Sequence, residues 1–189
     1  LSNHSSGKMG AAIAERFADR GAEVTLVAGK TSCRLPDNLK EICTVSSTHD
    51  MYEAVTSRVP QTDIVVMAAA PADYTPVTKF DQKVKSDTLT LTLKKTEDIA
   101  AAVGKIKPAA TKLVIFSAET ENLLENAKGK LFKKGADLVV ANDVTKEGAG
   151  FFADTNIVTL IDRAGNVTPF DKMPKIEVAD AILDALKKV

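Results

Sequence analysis

The stretch LSNHSSGKMGAAIAERFADRGAEVTLVAG, residues 1–29, decides the fold class. Its opening has the glycines and hydroxyls of a phosphate-binding turn. A helix follows at once. Met9, Ile13 and Phe17 fall at i, i+4 and i+8, with alanines between and charges opposite, which predicts a helix over 9–20. Gly21 ends it as a C-cap glycine does. Residues 23–28 then read as a strand. A glycine turn, a helix and a strand in succession belong to a doubly wound α/β unit. In such a unit the turn follows the first strand, so the expectation is a first strand that is missing ahead of Leu1.

The rest of the chain continues the alternation. Residues 41–45 read as a weaker strand and 48–58 as a helix. DIVVMAAA, residues 63–70, is a continuous apolar run, the mark of a parallel strand buried on both faces. Residues 75–87 are polar and break the rhythm. TLTLTLKK, residues 88–95, alternates strictly and predicts a strand with one wet face. A short helix is expected at 96–104, strands at 112–118 and 137–141, and a helix at 123–134. A glycine-rich loop at 143–155 precedes a hairpin turning at Ala164, Gly165 and Asn166, and a last helix covers 174–188. This order predicts an α/β, Rossmann-like, doubly wound, mostly parallel sheet with helices on both faces and a small β extension at about 75–95. No repeat or low-complexity linker divides the chain, so a single domain over 1–189 is expected.

Composition narrows the function classes. Lys plus Arg number 25, as do Asp plus Glu, so the basic surplus of a nucleic-acid binder is absent. Cys33 and Cys43 are too few for a disulfide framework and match no zinc spacing. They read as reduced thiols of a cytoplasmic protein. No apolar run reaches the ~18 residues of a membrane span, and no signal peptide is visible.

The opening turn fits neither usual glycine-rich pattern. A Walker A loop would need Gly where Ser2 stands and a hydroxyl where Met9 stands. The dinucleotide pattern, aligned on Gly7 and Gly10, puts Ser5 at its first glycine. The strand after the helix ends Ala28-Gly29-Lys30, with no ribose-binding acid. Lys30 would suit NADP, but a short-chain reductase also carries Tyr-x-x-x-Lys. Tyr52 and Tyr74 are followed at that spacing by Thr56 and Thr78. An NADP-dependent reductase and a non-catalytic nucleotide-binding module stand as alternatives. What the turn retains is general physics. Ser5, Ser6 and the N–H groups around Gly7 face whatever sits above a helix N-terminus, where an anion is favoured, and Lys8 adds charge. The plainer reading is that Asn3 and the serines cap the helix.

Other polar groups fall at strand ends. AAAPADY, residues 68–74, leaves one apolar strand with Asp73 just beyond it. FSAETE, residues 116–121, leaves another, with Phe116 placed to stack on a base or fill the core. Asn142 ends a third. Lys130 and Lys134 lie four apart, on one helical face. Lys79, Lys83 and Lys85 occupy the polar loop. Three polar strand ends point to one crevice.

In this order SNHSSGKMG, AAAxADY, KxK, AETE, KLxxK and DLxVAND resemble the phosphopantothenoylcysteine synthetase domain of coenzyme A biosynthesis, over residues 2 to about 188. The resemblance implies a ligase. The carboxylate of 4′-phosphopantothenate attacks the α-phosphate of CTP and pyrophosphate leaves. The amine of L-cysteine then attacks the acyl-cytidylate and CMP leaves. Magnesium accompanies the triphosphate. By resemblance, Asn3 is a side-chain donor acting on the intermediate and Lys83 faces the triphosphate. Ser5, Ser6, Gly7, Met67, Ala68, Ala69, Asp73, Glu97, Asp98, Ile99, Ala100, Phe116, Lys130 and Lys134 match CTP-binding positions, and Asn142 a substrate position. The resemblance also implies a homodimer formed through the β extension, and a flavin-dependent decarboxylase as a fused or associated partner. The chain departs from the pattern at Pro71, at Ser86 of KVKS, at Glu97 where Pro is common, and at Ile115 where Gly is common.

Overall fold

The computed structural model describes residues 3, 5–78, 80, 82–119, 121–143, 148, 150 and 152–188. The first helix, α1, is Lys8–Asp19. Strands β1 (Thr25–Ala28) and β2 (Glu41–Thr44) pair in parallel. Helix α2, Thr48–Thr56, starts in a capping box, in which Ser47 accepts from the Asp50 N–H and Asp50 reaches back to Ser47. After a single 3-10 turn, β3 is Ile64–Met67. Strands β4 (Tyr74–Pro76) and β5 (Leu93–Lys95) form an antiparallel ribbon. Then come α3 (Ile99–Ile106), β6 (Lys112–Glu119), α4 (Leu123–Lys133) and β7 (Leu138–Asp143). The chain closes with β8 (Thr155–Asn156), β9 (Val158–Asp162), β10 (Val167–Pro169), β11 (Met173–Pro174) and α5 (Lys175–Leu186).

The main sheet has five strands in the order β10-β9-β7-β6-β3. Strands β3, β6 and β7 are parallel, and β9 and β10 add antiparallel. Period-two alternation sends the two faces of β3 into different cores. Val65 and Met67 face Met51, Ile99, Val103 and Leu131, whereas Ile64, Val66 and Ala68 face Ile13, Phe17, Val178 and Ile182. Helices α2, α3 and α4 therefore cover one face, and α1 and α5 the other. Strand β6 is the axis of both cores, with Leu113 and Val114 fully buried on opposite sides.

The mostly parallel sheet with helices on both faces is as expected, and it has a gap: β1 pairs with β2 and β3 with β6, but β1 and β3 do not pair with each other. In the doubly wound order the first strand lies between the second and the fourth, which is the place between β1 and β3. Two expectations need correction. The apolar run at 63–70 is a strand only over Ile64–Met67, and its residues are half-buried, because it pairs on one side alone. The alternating stretch 88–95 is a strand only at Leu93–Lys95. The ribbon gives it one neighbour, β4, whose three residues leave most of the alternating stretch without a ladder.

Candidate nucleotide crevice at the strand ends

The parallel strands all end at one edge, and the opening turn sits there. Gly7 is the N-cap of α1, in a left-handed conformation with φ 82, and makes no side-chain cap itself. The N–H of Lys8, the first helical residue, donates to the Ser6 hydroxyl at 3.4 Å, so Ser6 serves the helix start in part as the capping reading expects. Asn3 instead uses Nδ2 to donate to the carbonyls of Ala70 and Pro71, both at 3.1 Å, just beyond β3. On the other side the Ser6 carbonyl accepts from the Ser32 N–H at 3.2 Å, just beyond β1. The turn is thus clasped between the carboxyl ends of β1 and β3, the switch point where doubly wound sheets bind ligands. Ser6 is buried and Ser5 half-buried. Gly10 brings α1 close to Ala68, where an added Cβ would lie 4.0 Å from the Ala68 Cβ. Small residues at both places let the helix start reach the strand end.

The ribbon joins this strand end to α3. Thr96 donates its hydroxyl to the Ala72 carbonyl at 2.7 Å and its N–H to the Asp73 carbonyl at 3.0 Å. The carboxylate of the next residue, Glu97, meets His49 at 3.0 Å. Asp98 caps α3, its Oδ1 accepting from the Ala101 N–H at 3.0 Å, and its Oδ2 pairs with the Lys134 ammonium. Lys130 donates to the buried hydroxyl of Ser117 at 2.9 Å. Thr96 and Ser117 were missed in the sequence. Only Ser117 left a trace, as a small polar residue in an apolar strand.

The charges here are tuned locally. Glu97 is held below the ordinary glutamate range by its own backbone N–H and then by His49. Burial pushes Asp98 up, but Lys134 and the Ala101 N–H outweigh it and leave its carboxyl below the ordinary aspartate range. Lys8 behaves differently from expectation. Its ammonium turns away to Asp154 Oδ1 at 2.6 Å and the Phe152 carbonyl at 3.0 Å, because that carboxylate lies nearer than the turn. Beside it, Lys175 is buried among the carbonyls of Gly150, Ala153 and Thr155. Burial, then repulsion from Lys8, lowers its pKa. No spacing rule marked either Asp154 or Lys175.

The DNA/pantothenate metabolism flavoprotein C-terminal domain model matches residues 1–189. The chain belongs to this family. It is 44% identical over 188 residues to the coenzyme A biosynthesis bifunctional protein CoaBC of Bacillus subtilis (strain 168), covering 98% of this chain and 46% of that protein. It is 42% identical over 185 residues to a protein named cysteine/cysteine sulfinic acid decarboxylase from an unknown prokaryotic organism, covering 97% of this chain and 52% of that one. The solved C-terminal domain of a CoaBC protein superposes with a TM-score of 0.83 at 37% identity, covering all of this chain and 85% of that one. The chain spans about half the length of these curated relatives.

Against the positions implied for the family, the fold gathers most at one edge. Ser5, Ser6 and Gly7 form the turn, Met67, Ala68 and Ala69 leave β3, and Asp73 and Glu97 to Ala100 are tied together through Thr96. Phe116 is half-buried and packs on the α1 and α5 side, opposite Ser117 and Lys130. Asn142 stands at the end of β7, beside Ala118 and Val158 in the register. Lys83 is not brought in. It is exposed on the segment between β4 and β5, and no described bond ties it to the strand ends.

Acid sensitivity follows from the carboxylates. Asp98, Asp154 and Asp184 are all depressed in the folded state: Asp98 by Lys134 and Ala101 against burial, Asp154 mainly by Lys8, Asp184 mainly by Arg20. A depressed acid stabilises the fold above its unfolded value and loses that contribution as pH falls through the folded one. The thermal midpoint should therefore hold from neutrality and fall as pH passes below about 4, the unfolded aspartate value. Asp184→Asn should flatten that decline, which thermal scans across pH would show.

Proposed function

We propose that the chain is the ligase of coenzyme A biosynthesis that joins 4′-phosphopantothenate to L-cysteine with CTP. The observation that carries the reading is the glycine start of α1, clasped between the ends of β1 and β3. Family membership and the likeness to CoaBC proteins support it. In the reaction, a carboxylate oxygen of 4′-phosphopantothenate bonds to the α-phosphorus of CTP as pyrophosphate leaves. The cysteine nitrogen then bonds to the acyl carbon, loses a proton, and CMP leaves. No protein nucleophile is needed, because the nucleotide supplies the activation.

What the protein contributes is positioning and fixed charge. The turn and the first N–H groups of α1 and α3 are donors without intrahelical acceptors, suited to phosphate oxygens. Lys130 and Lys134 bring cations to the opposite wall. Small residues at Ala68 and Ala69 let the nucleotide lie against the backbone, with Phe116 beside the base. Magnesium would enter with the triphosphate. Among the described residues, no three His, Cys, Asp or Glu converge into a cage, and magnesium is commonly held by substrate phosphates with one or two carboxylates. Asp73 is an exposed carboxylate just beyond β3. We assign the flavin-dependent decarboxylase as a covalent or associated partner, consistent with the bifunctional relatives.

The reading is tested by pyrophosphate release from CTP, with and without 4′-phosphopantothenate, before L-cysteine is added. Release that requires 4′-phosphopantothenate is the expected result. CTP binding without such release would favour the binding module, and hydride transfer from NADPH the reductase.

The dimer rests on the ribbon. Tyr74, Val77, Phe80, Leu89, Leu91 and Leu93 are all exposed within one short stretch, a concentration of apolar surface that marks an interaction site. A second copy covering it would carry Lys83 toward a nucleotide. Sedimentation should show a dimer, and Leu91→Lys should yield monomers with reduced activity. A dilute monomer with full activity would contradict this.

A further inference from the structure

We infer that a cavity at the amino ends of β6 and β7, opposite the crevice, binds a small phosphate-type anion, with Arg163 as its main arm. This stands whether or not the chain is the ligase. The cavity measures about 250 Å³ and is lined by Lys112, Asp137, Asp162, Arg163 and Lys188, with the hairpin turn beyond β9. Lys112 opens β6, Asp137 precedes β7, Arg163 follows β9 and Lys188 lies just past α5.

The two carboxylates are already engaged by the protein. Asp137 Oδ2 accepts from the Leu113 N–H at 2.7 Å and from the Lys107 ammonium at 2.9 Å. The side chains of Asp137 and Lys107 are only 13% and 10% exposed, so this acid has its counter-ion inside the fold. Asp162 is turned into the hairpin. Its Oδ1 accepts from the Asn166 N–H at 2.9 Å and its Oδ2 from Asn166 Nδ2 at 2.8 Å.

The cations are not engaged in the same way. Arg163 Nε lies 3.6 Å from Asp137 Oδ1, beyond hydrogen-bond range, and the side chain is 51% exposed. Were Arg163 only the counter-ion of Asp137, it would stand closer than the lysine that fills that role. Its Nε instead donates to the Ala136 carbonyl at 2.7 Å. That bond fixes the guanidinium plane and leaves the N–H groups on both Nη atoms unspent among the described residues. Lys112 and Lys188 form no ion pair among the described residues. Four cations, Lys107, Lys112, Arg163 and Lys188, thus face two satisfied carboxylates. A fixed guanidinium fork with two lysines at hand suits paired phosphate oxygens. Lys112 and Ser117 are five residues apart on β6, about 17 Å along the strand. The cavity is therefore separate from the crevice, and both can be filled at once.

The test follows the backbone amides of residues 163–166 and of Lys112 by NMR in the full chain, as inorganic phosphate replaces chloride at constant ionic strength. These amides should shift to a saturable end point. Arg163→Gln should weaken the binding about tenfold, the usual effect of losing a charged hydrogen bond. Arg163→Lys keeps the charge without the fork and should recover only part. Lys188→Gln, at an exposed chain end, should weaken binding severalfold and decides the matter if the Arg163 variants do not fold. Inorganic pyrophosphate and glycerol 3-phosphate separate the sources. Tighter binding of the first assigns the site to a free diphosphate, and of the second to a phosphate monoester. Shifts that do not saturate, or that chloride alone reproduces, would overturn the inference. So would unchanged affinity in folded Arg163→Gln, or in Lys188→Gln where the Arg163 variants do not fold.

Discussion

Asn3→Asp is expected to slow amide formation about 10²- to 10³-fold, the usual cost of losing an oriented donor in acyl transfer. Asn3 donates from one nitrogen to the carbonyls of Ala70 and Pro71. An aspartate there sets an acceptor against two acceptors, and the clasp between the turn and the end of β3 opens. Its charge also opposes the triphosphate. Asn3→Ala removes the clasp without adding charge, so its KM for CTP should rise less. Measuring pyrophosphate release and amide formation separately divides two roles. A clasp serves both steps. A donor to the acyl intermediate, which would have to give up a carbonyl, serves the second alone. Unchanged rates for both steps in Asn3→Asp would remove Asn3 from the site.

Gly7→Ala should raise the KM for CTP about 10- to 100-fold, the equivalent of one strained backbone position. Two penalties coincide. At φ +82 an L side chain is strained whatever space surrounds it. The added Cβ would also lie 2.5 Å from Thr31 Cγ2 and 2.9 Å from Thr31 Cβ. Thr31→Ser, combined with Gly7→Ala, removes only the closer contact and should recover only part of the affinity. Full recovery would show that collision alone matters. No loss in Gly7→Ala would show that the turn does not hold phosphate. The fold should survive, because α1 is held along its length by Ile13 and Phe17 and by Arg16 and Arg20 on Asp180 and Asp184.

The legible parts were those written in local period. Met9, Ile13 and Phe17 at helical spacing gave α1, and Ile13 and Phe17 are buried. The apolar run at 112–118 is an interior strand, paired with β3 and β7, because a strand buried on both faces has no wet side to alternate. The 88–95 stretch misled for the converse reason. Strict alternation records which side chains share a face, but a ladder needs a partner, and β4 offers three residues. Lys8 misled because sequence distance hides Asp154, which lies 146 positions away and takes its ammonium.

From residue order alone came the alternation of helix and strand, the phosphate-type turn and the grouping of polar residues at strand ends. Each follows from contacts within a few residues, where side-chain period and backbone preference act. Only the tertiary structure decided that Asn3 clasps the end of β3 and that Lys134 meets both Asp98 and Gly104. Those facts depend on which surfaces meet once the cores are buried. Local preference does not encode such contacts, because each partner is supplied by a distant part of the chain.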